Sequence, residues 1–401
     1  MHIVHIIPSL HVGGAELALL RLIGPASADQ GLTEQAQAAG QGEQRIRHSV
    51  ISMTPFGALG RDFAAAGVAV VWLDFSNRPL RSFIAMCRWL RRHRPDVVNT
   101  WMYYADVAGG LAARLCGVNA VVWGVRTTSI GGVRPHLRLR LLCRLGALLS
   151  HRVPRAIVYV AEAARASHLA FGYRADQMHV IANGFDVDAL LPAKFDLAAS
   201  RALHAFEDHH IVVGHVGRYC NEKDHIGFLK AARLALDREP ELRFVMAGRG
   251  VSSSNIVLMS AIDQLALNDH VRLLGERSDV APVLRSFDIF CLSSTFEGFP
   301  NVLGEAMAMA LPCITTDAGD AGVLAGKAGD GVSVVPVSDP QALADAMLAL
   351  ARLTAAQRAQ LGALARERVA NHYTVKVMRQ RFEAVYRSVA QAETRPVFRT
   401  T

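Results

Sequence analysis

Two strings in the second half of the chain hold the residue types that a diphosphate and a sugar require. The first is Gly217-Arg218-Tyr219-Cys220-Asn221-Glu222-Lys223-Asp224-His225. Gly217 permits a sharp turn and close backbone approach. Arg218 and Lys223 place two cations beside the start of the helix that the pattern predicts next, and cations with oriented backbone N–H groups make a diphosphate site. Alone, the string reads as readily as a loop with two solvated cations, and it is not a Walker loop, because GxxxxGK[ST] is absent. The second string runs Ser293-Ser294-Thr295-Phe296-Glu297-Gly298-Phe299-Pro300-Asn301-Val302-Leu303-Gly304-Glu305. Pro300 suits a helix start, so Glu297 falls in the loop and Glu305 on the second helical turn. Carboxylates accept hydrogen bonds from hydroxyl groups, which fits a sugar ring or a ribose. Either Glu by itself is also explained by the helix dipole or a solvated face.

A weaker signal is Gly13-Gly14-Ala15-Glu16, which could let a helix N-terminus approach a phosphate or form an ordinary turn. GxGxxG is absent, which argues against a dinucleotide oxidoreductase, and so is GxSxG, which argues against a hydrolase elbow. The 16 histidines show no HExxH spacing, and His209-His210 reads as a solvated pair. The sequence thus predicts no metal and no cofactor.

These strings need strand ends to hold them. Thirteen short β-rich runs alternate with helix-length segments, among them His2–Ile7, Ala120–Trp123, Ile211–Val216, Arg243–Ala247, Val271–Leu274 and Ile289–Leu292. Each chemical string directly follows one of these runs. Such alternation predicts an α/β fold of parallel sheets covered by helices on both faces. The pattern breaks at Leu190–His210, read as a linker between two Rossmann-like doubly wound domains, 1–190 and 191–372. The tail Ala355–Gln391 reads as helical throughout, with 373–391 expected to pack back onto the first domain. Ligands of such sheets bind beyond the strands' carboxyl ends, so two facing domains predict a substrate in the cleft between them. Residues 24–45, rich in Ala, Gln and Gly, read as a mobile surface insertion.

Composition narrows the class. Of 401 residues 51% are hydrophobic and 19% charged, with a mean hydropathy of +0.21, which excludes a disordered chain. The longest run free of Asp, Glu, Lys and Arg is 15 residues, Met1 to Ala15, short of the roughly 18 that a membrane span needs. MHIVHIIPSL reads as a first strand and not as a secretion signal. Six cysteines without a Cys-x-x-Cys pair predict reduced thiols in a cytosolic protein. The net charge of +8 is uneven: residues 78–155 hold 14 arginines and two acids. A basic region can meet nucleic acid, an anionic membrane or a phosphorylated substrate. Without interleaved aromatics or a recognised fold signature, nucleic acid is the weakest of the three.

Seven ordered strings resemble the family 4 (group 1) glycosyltransferases, retaining enzymes of the GT-B fold: GGAE at 13–16, VIANGFD at 180–186, VGRYCNEKDH at 216–225, MAGRG at 246–250, LLGERSDV at 273–280, EGFPNVLGEAMA at 297–308 and TTDAGD at 315–320. The resemblance covers nearly the whole chain, and the Glu297-x7-Glu305 spacing is its most specific mark. It implies metal-independent transfer of a sugar from a nucleotide-sugar donor to a saccharide or lipid-linked acceptor of cell-surface polysaccharide synthesis. Arg218, Lys223 and Glu297 would be catalytic, the first two on the donor diphosphate and Glu297 on the donor sugar. Glu305 would hold the ribose hydroxyls, and Gly217, Gly248, Gly298, Phe299, Pro300, Asn301 and Val302 would line the donor site. The loop at Gly275, Glu276 and Arg277 would lie near the base, and Gly13 and Gly14 would approach phosphates or acceptor. Many members carry a His after the fifth strand. Here Trp123-Gly124-Val125-Arg126-Thr127-Thr128 stands there, leaving Arg126 and Thr127 as acceptor-side candidates. The implied location is cytoplasmic, with peripheral attachment to the inner membrane face. Two other readings share the architecture: a nucleotide-sugar epimerase, and a non-catalytic sugar-nucleotide-binding subunit.

Overall fold

The computed structural model describes residues 1–24, 46–127 and 137–394, with side chains to residue 391. The insertion read at 24–45 lies, from residue 25 on, outside the described residues. The chain forms two units: Met1–Gly184 with the segment from Val375, and Phe185–Thr374.

In the first unit seven strands, β1 (His2–Ile7), β2 (Arg47–Ser52), β3 (Ala69–Trp72), β4 (Val97–Trp101), β5 (Val121–Val125), β6 (Ala156–Tyr159) and β7 (Met178–Val180), form one parallel sheet. Their order is β3-β2-β1-β4-β5-β6-β7. Strands β4 and β5, VVNTW and VVWGV, are buried at every residue. Near-continuous apolar runs are what a strand covered on both faces requires. The second sheet holds β8 (Ile211–Val216), β9 (Leu242–Ala247), β10 (Val271–Leu273), β11 (Ile289–Leu292), β12 (Cys313–Thr316) and β13 (Val332–Val335), ordered β10-β9-β8-β11-β12-β13 and again parallel. All thirteen expected strands are present, with ends within two residues of those read from the sequence. In each sheet the strand order reverses once, between β1 and β4 and between β8 and β11, which is where such sheets open a crevice.

The helix Val375–Thr394 belongs to the first unit's core. Met378, Phe382, Val385, Tyr386 and Val389 pack with Ile3, Val50, Val97 and Val122. Full burial of each such side chain contributes about 1.5–3 kcal/mol. Tyr386 also donates to Asn99 Oδ1 at 2.6 Å, and Asn99 Nδ2 donates to Val122 O at 3.1 Å, tying the helix polar-side to the sheet.

Two expectations are corrected. The tail is not helical throughout: it breaks at Tyr373 between the helices Ala355–His372 and Val375–Thr394. There Phe185 N donates to Tyr373 O at 2.8 Å and Phe185 bridges Thr374. The stretch 190–210 is not a linker. The second unit begins at Phe185, and Leu197–Arg201 is helical. Arg201 Nη2 donates to both oxygens of Asp288 at 2.9 and 2.8 Å, and Asp288 Oδ2 also accepts from Val212 N at 2.8 Å. That bidentate pair fastens the segment to the start of β8.

A candidate diphosphate and sugar site

The loops after β8 and β11 leave neighbouring strands at the second sheet's reversal point, and side chains and backbone stitch them together. Lys223 forms an ion pair with Glu297 Oε1, and both side chains are largely buried. Ser294 Oγ donates to the same oxygen at 2.6 Å. Ser293 Oγ donates to the carbonyls of Lys223 and Asp224 at 2.9 and 3.0 Å, and Thr295 N to Glu222 O at 2.8 Å. Asp224, in the left-handed region at φ 44°, caps the helix His225–Leu236 by accepting from Gly227 N at 2.9 Å. Lys223 therefore sits beside a capped helix start, and Arg218 on the loop that leads from β8 to it.

The loop after β9 closes on the same place. Gly217 N donates to Ala247 O at 2.9 Å, Tyr219 N to Arg249 O at 2.8 Å, and Gly248 N to Gly275 O at 2.7 Å. Gly248 has φ +146°, and a Cβ there would lie 2.0 Å from Gly217 O. Only glycine fits, because both the conformation and the contact exclude a side chain. Arg218 is exposed and makes no hydrogen bond or ion pair among the described residues. One cation is thus held by a carboxylate and the other is open to a ligand. Gly217, Arg218, Lys223, Gly248, Glu297 and Gly298 are brought to one edge of one sheet.

The remaining donor-side candidates are spread around it. Phe299 is buried and stacks on Phe185 at 6.1 Å, and Pro300 is the N-cap of the helix Asn301–Ala308, which carries Val302 and half-buried Glu305. Arg277 is paired bidentately with Asp279 at 2.8 and 2.6 Å, and Glu276 is exposed. Ser294, which orients Glu297, was not assigned from sequence; its signal was a hydroxyl three residues before the loop Glu. His225 was missed too. Its Nε2 lies 3.3 Å from Gly217 O, and burial pushes its pKa down to about 4.

In the first unit Gly13 precedes the helix Gly14–Ile23, whose Glu16 accepts from Ser9 Oγ at 3.2 Å; burial raises the Glu16 carboxyl. Thr127 is half-buried after β5. Arg126, beside it, lays its guanidinium 4.4 Å from the Trp101 ring and 5.5 Å from the Phe382 ring. Its Nε and Nη2 are buried without a hydrogen-bond partner, and burial lowers its pKa to about 10. The helix Leu137–Ser150 turns its small residues inward. Cys143, Gly146, Ala147 and Ser150 are buried, while Leu137, Leu141, Leu145 and Leu148 are 43–72% exposed beside exposed Arg138, Arg140 and Arg144.

Among the described residues the one group of three metal-ligating side chains is His209, His210 and Glu241, at the opposite, amino end of the second sheet. His210 Nδ1 accepts from Glu207 N at 3.1 Å, which leaves the proton on Nε2, the nitrogen facing Glu241. No helix among the described residues is long and apolar enough to cross a membrane.

Residues 210–352 match the family described as glycosyl transferases group 1, and residues 35–189 match glycosyltransferase family 4. A putative glycosyltransferase, EpsF of Bacillus subtilis, is 32% identical over 52% of this chain and 53% of its own length. The UDP-Gal:alpha-D-GlcNAc-diphosphoundecaprenol alpha-1,3-galactosyltransferase of Escherichia coli is 26% identical over 60% of this chain and 62% of its own. The chain thus spans about half the length of the curated relatives it matches. Among solved structures, Anabaena HepE in complex with UDP superposes with a TM-score of 0.79 at 19% identity, covering 97% of this chain and 100% of that one.

Proposed function

The chain belongs to the group 1 glycosyltransferases of the GT-B fold, and from that premise we propose that it moves a hexosyl group from a nucleotide-sugar donor to a saccharide or lipid-linked acceptor in cell-surface polysaccharide assembly. The proposed transfer retains the anomeric configuration and needs no metal. The observation that carries it is the Lys223–Glu297 pair joining the loops after β8 and β11. As the bond from the anomeric carbon to the diphosphate oxygen breaks, negative charge builds on the diphosphate. Arg218 and Lys223 lie on the loop that leads from β8 to a helix start, where preorganised cations stabilise such charge. Glu297, positioned by Ser294, takes the donor sugar's hydroxyls, and Glu305 takes the ribose. The donor proposed first is a UDP-sugar, in line with the galactosyltransferase named above and with UDP in HepE. The diphosphoundecaprenol acceptor in that relative's name suggests a lipid-linked acceptor here, with Arg126 and Thr127 on the acceptor side and Gly13 and Gly14 approaching the donor phosphates or the acceptor. The exposed leucines and arginines of Leu137–Ser150 suit peripheral contact with an anionic membrane face.

Thermal melting against UDP, UDP-glucose, UDP-galactose and GDP-mannose, each with and without EDTA, tests the donor reading. A ligand that binds only the native state raises the melting temperature. The expected result is a rise with the UDP compounds that EDTA leaves unchanged. No rise with any nucleotide would refute the donor site, and a rise that needs a divalent ion would refute metal independence.

A further inference from the structure

We propose that the first unit holds a second anion site, a cavity for a phosphate or diphosphate ester at the amino ends of β5, β6 and β7. The cavity measures about 390 Å³ and is lined by Arg114, Arg152, Arg155 and Arg174 with Gln177 and Ser388. It lies at the opposite end of β5 from Arg126, so within this unit it is separate from the acceptor-side candidates by the length of a strand, about 3.3 Å per residue.

Four guanidiniums converge there with little internal compensation. The Arg174 side chain is the one matched by a carboxylate: it pairs with Asp176, its Nε lying 3.0 Å from Oδ1. The other anchors are neutral. Arg114 Nη1 donates to Asn119 Oδ1 at 2.6 Å, Arg155 Nε to Asn119 O at 3.3 Å, and Arg174 Nη1 to Pro154 O at 3.0 Å. Arg152 is exposed, and its side chain makes no hydrogen bond or ion pair among the described residues. A guanidinium has five N–H donors, so these contacts orient the groups while leaving most donors for a ligand. Val153, Pro154 and Val389 supply an apolar wall.

Helix ends account for part of this. Arg114 is in the last turn of Met102–Leu115, Arg152 follows Leu137–Ser150 and Arg174 follows Glu162–Ala170, and carbonyl ends of helices favour cations. They do not account for Arg155, which precedes β6, nor for four like charges around one cavity with a single carboxylate, Asp176, paired to one of them. Planar forks that pair bidentately with phosphate oxygens do. The volume falls within the range of small-molecule sites and exceeds what a single phosphate fills. The same phosphate chemistry is offered by a soluble sugar phosphate and by a lipid headgroup.

Calorimetry with inorganic pyrophosphate tests the site in the full chain. The background is Arg218→Ala/Lys223→Ala, which removes the donor diphosphate site if that reading holds and changes nothing here if it does not. Pyrophosphate is expected to bind this background, and Arg152→Ala with Arg155→Gln is expected to weaken it at least tenfold. Arg152→Ala alone, which removes no hydrogen bond, should weaken binding severalfold at an unchanged melting temperature. Displacement by glucose 1-phosphate identifies a soluble ester, and displacement by phosphatidylglycerol vesicles identifies a headgroup. No binding to the background, or binding untouched by both sets of substitutions, would overturn the proposal.

Discussion

The two units manage a cation at the carboxyl edge of a parallel sheet in opposite ways. In the second, Lys223 meets a carboxylate, Glu297, itself fixed by Ser294. In the first, Arg126 meets aromatic faces, Trp101 and Phe382, and keeps two guanidinium nitrogens buried without partners. The Lys223 arrangement is complete in itself, with Arg218 added as an open charge. The Arg126 arrangement is incomplete: a cation under aromatic rings gains some attraction and Nη1 donates to Ile181 O at 3.5 Å, but Nε and Nη2 have lost water. Burial lowers Arg126 to about 10, so it stays protonated at neutral pH and presents an unspent charge. A compensated cation reads as machinery held ready. An uncompensated one reads as a stability cost kept for a ligand.

The largest expected effect breaks the second unit's side. Arg218→Ala and Lys223→Ala should each lower turnover by about 10²–10³, the cost of losing one stabiliser of a developing anion. Their stabilities should differ. Arg218 has no partner to strand, so its variant should melt like the native protein. Lys223→Ala leaves Glu297 buried without its cation and should melt lower. Steady-state rates and melting curves on both variants check this, and near-native turnover in both would remove the diphosphate assignment.

Arg126 sharpens the contrast. Replacing even a buried ion pair by apolar side chains of similar volume is often neutral or stabilising by about 1–4 kcal/mol, and Arg126 would lose no carboxylate partner among the described residues, only the 3.5 Å bond to Ile181 O. Arg126→Met should therefore hold or raise the melting temperature while lowering turnover about tenfold at fixed acceptor. A variant that melts lower with full activity would make Arg126 a structural residue and end the comparison.

Much of this was legible in the sequence, for physical reasons. The chemical strings sit directly after apolar runs, and a parallel strand's loop position is set by its own end, so the placement of Gly217, Lys223 and Glu297 at strand ends could be read locally. The pairing of Lys223 with Glu297 could not. It depends on β8 and β11 being neighbours, a fact of sheet order that periodicity does not carry. The outward ridge of the helix Leu137–Ser150 depends on packing too. The helix meets Met102–Leu115 and Tyr173 with its small residues: a Cβ on Gly146 would stand 2.5 Å from Tyr173 Oη. Close approach there leaves no room for leucine, which is pushed to solvent. The tail's break at Tyr373 was hidden as well, since its cause is a hydrogen bond from Phe185, far away in sequence.

That outward leucine ridge frames the smallest effect, and it bears on the first unit's surplus of unpaired arginines. In the helix Pro79–His93, Arg88, Arg91 and Arg92 are exposed, as are Arg138, Arg140 and Arg144 of Leu137–Ser150. If these cations meet an anionic membrane, each contributes about 1 kcal/mol near the surface, and the attraction fades as the Debye length shrinks from about 10 Å at 0.1 M salt to about 3 Å at 1 M. Co-sedimentation with phosphatidylglycerol vesicles should then be clear at low salt, weak at high salt, and absent with neutral vesicles. Arg88→Glu/Arg91→Glu/Arg92→Glu should weaken it further without changing the melting shift produced by a UDP-sugar, since the donor-site residues belong to the other unit. Leu141→Ser should remove the part that survives high salt, because apolar insertion is not screened. Equal, negligible sedimentation with both kinds of vesicle would leave these arginines as solvated helix faces and a soluble acceptor as the better reading.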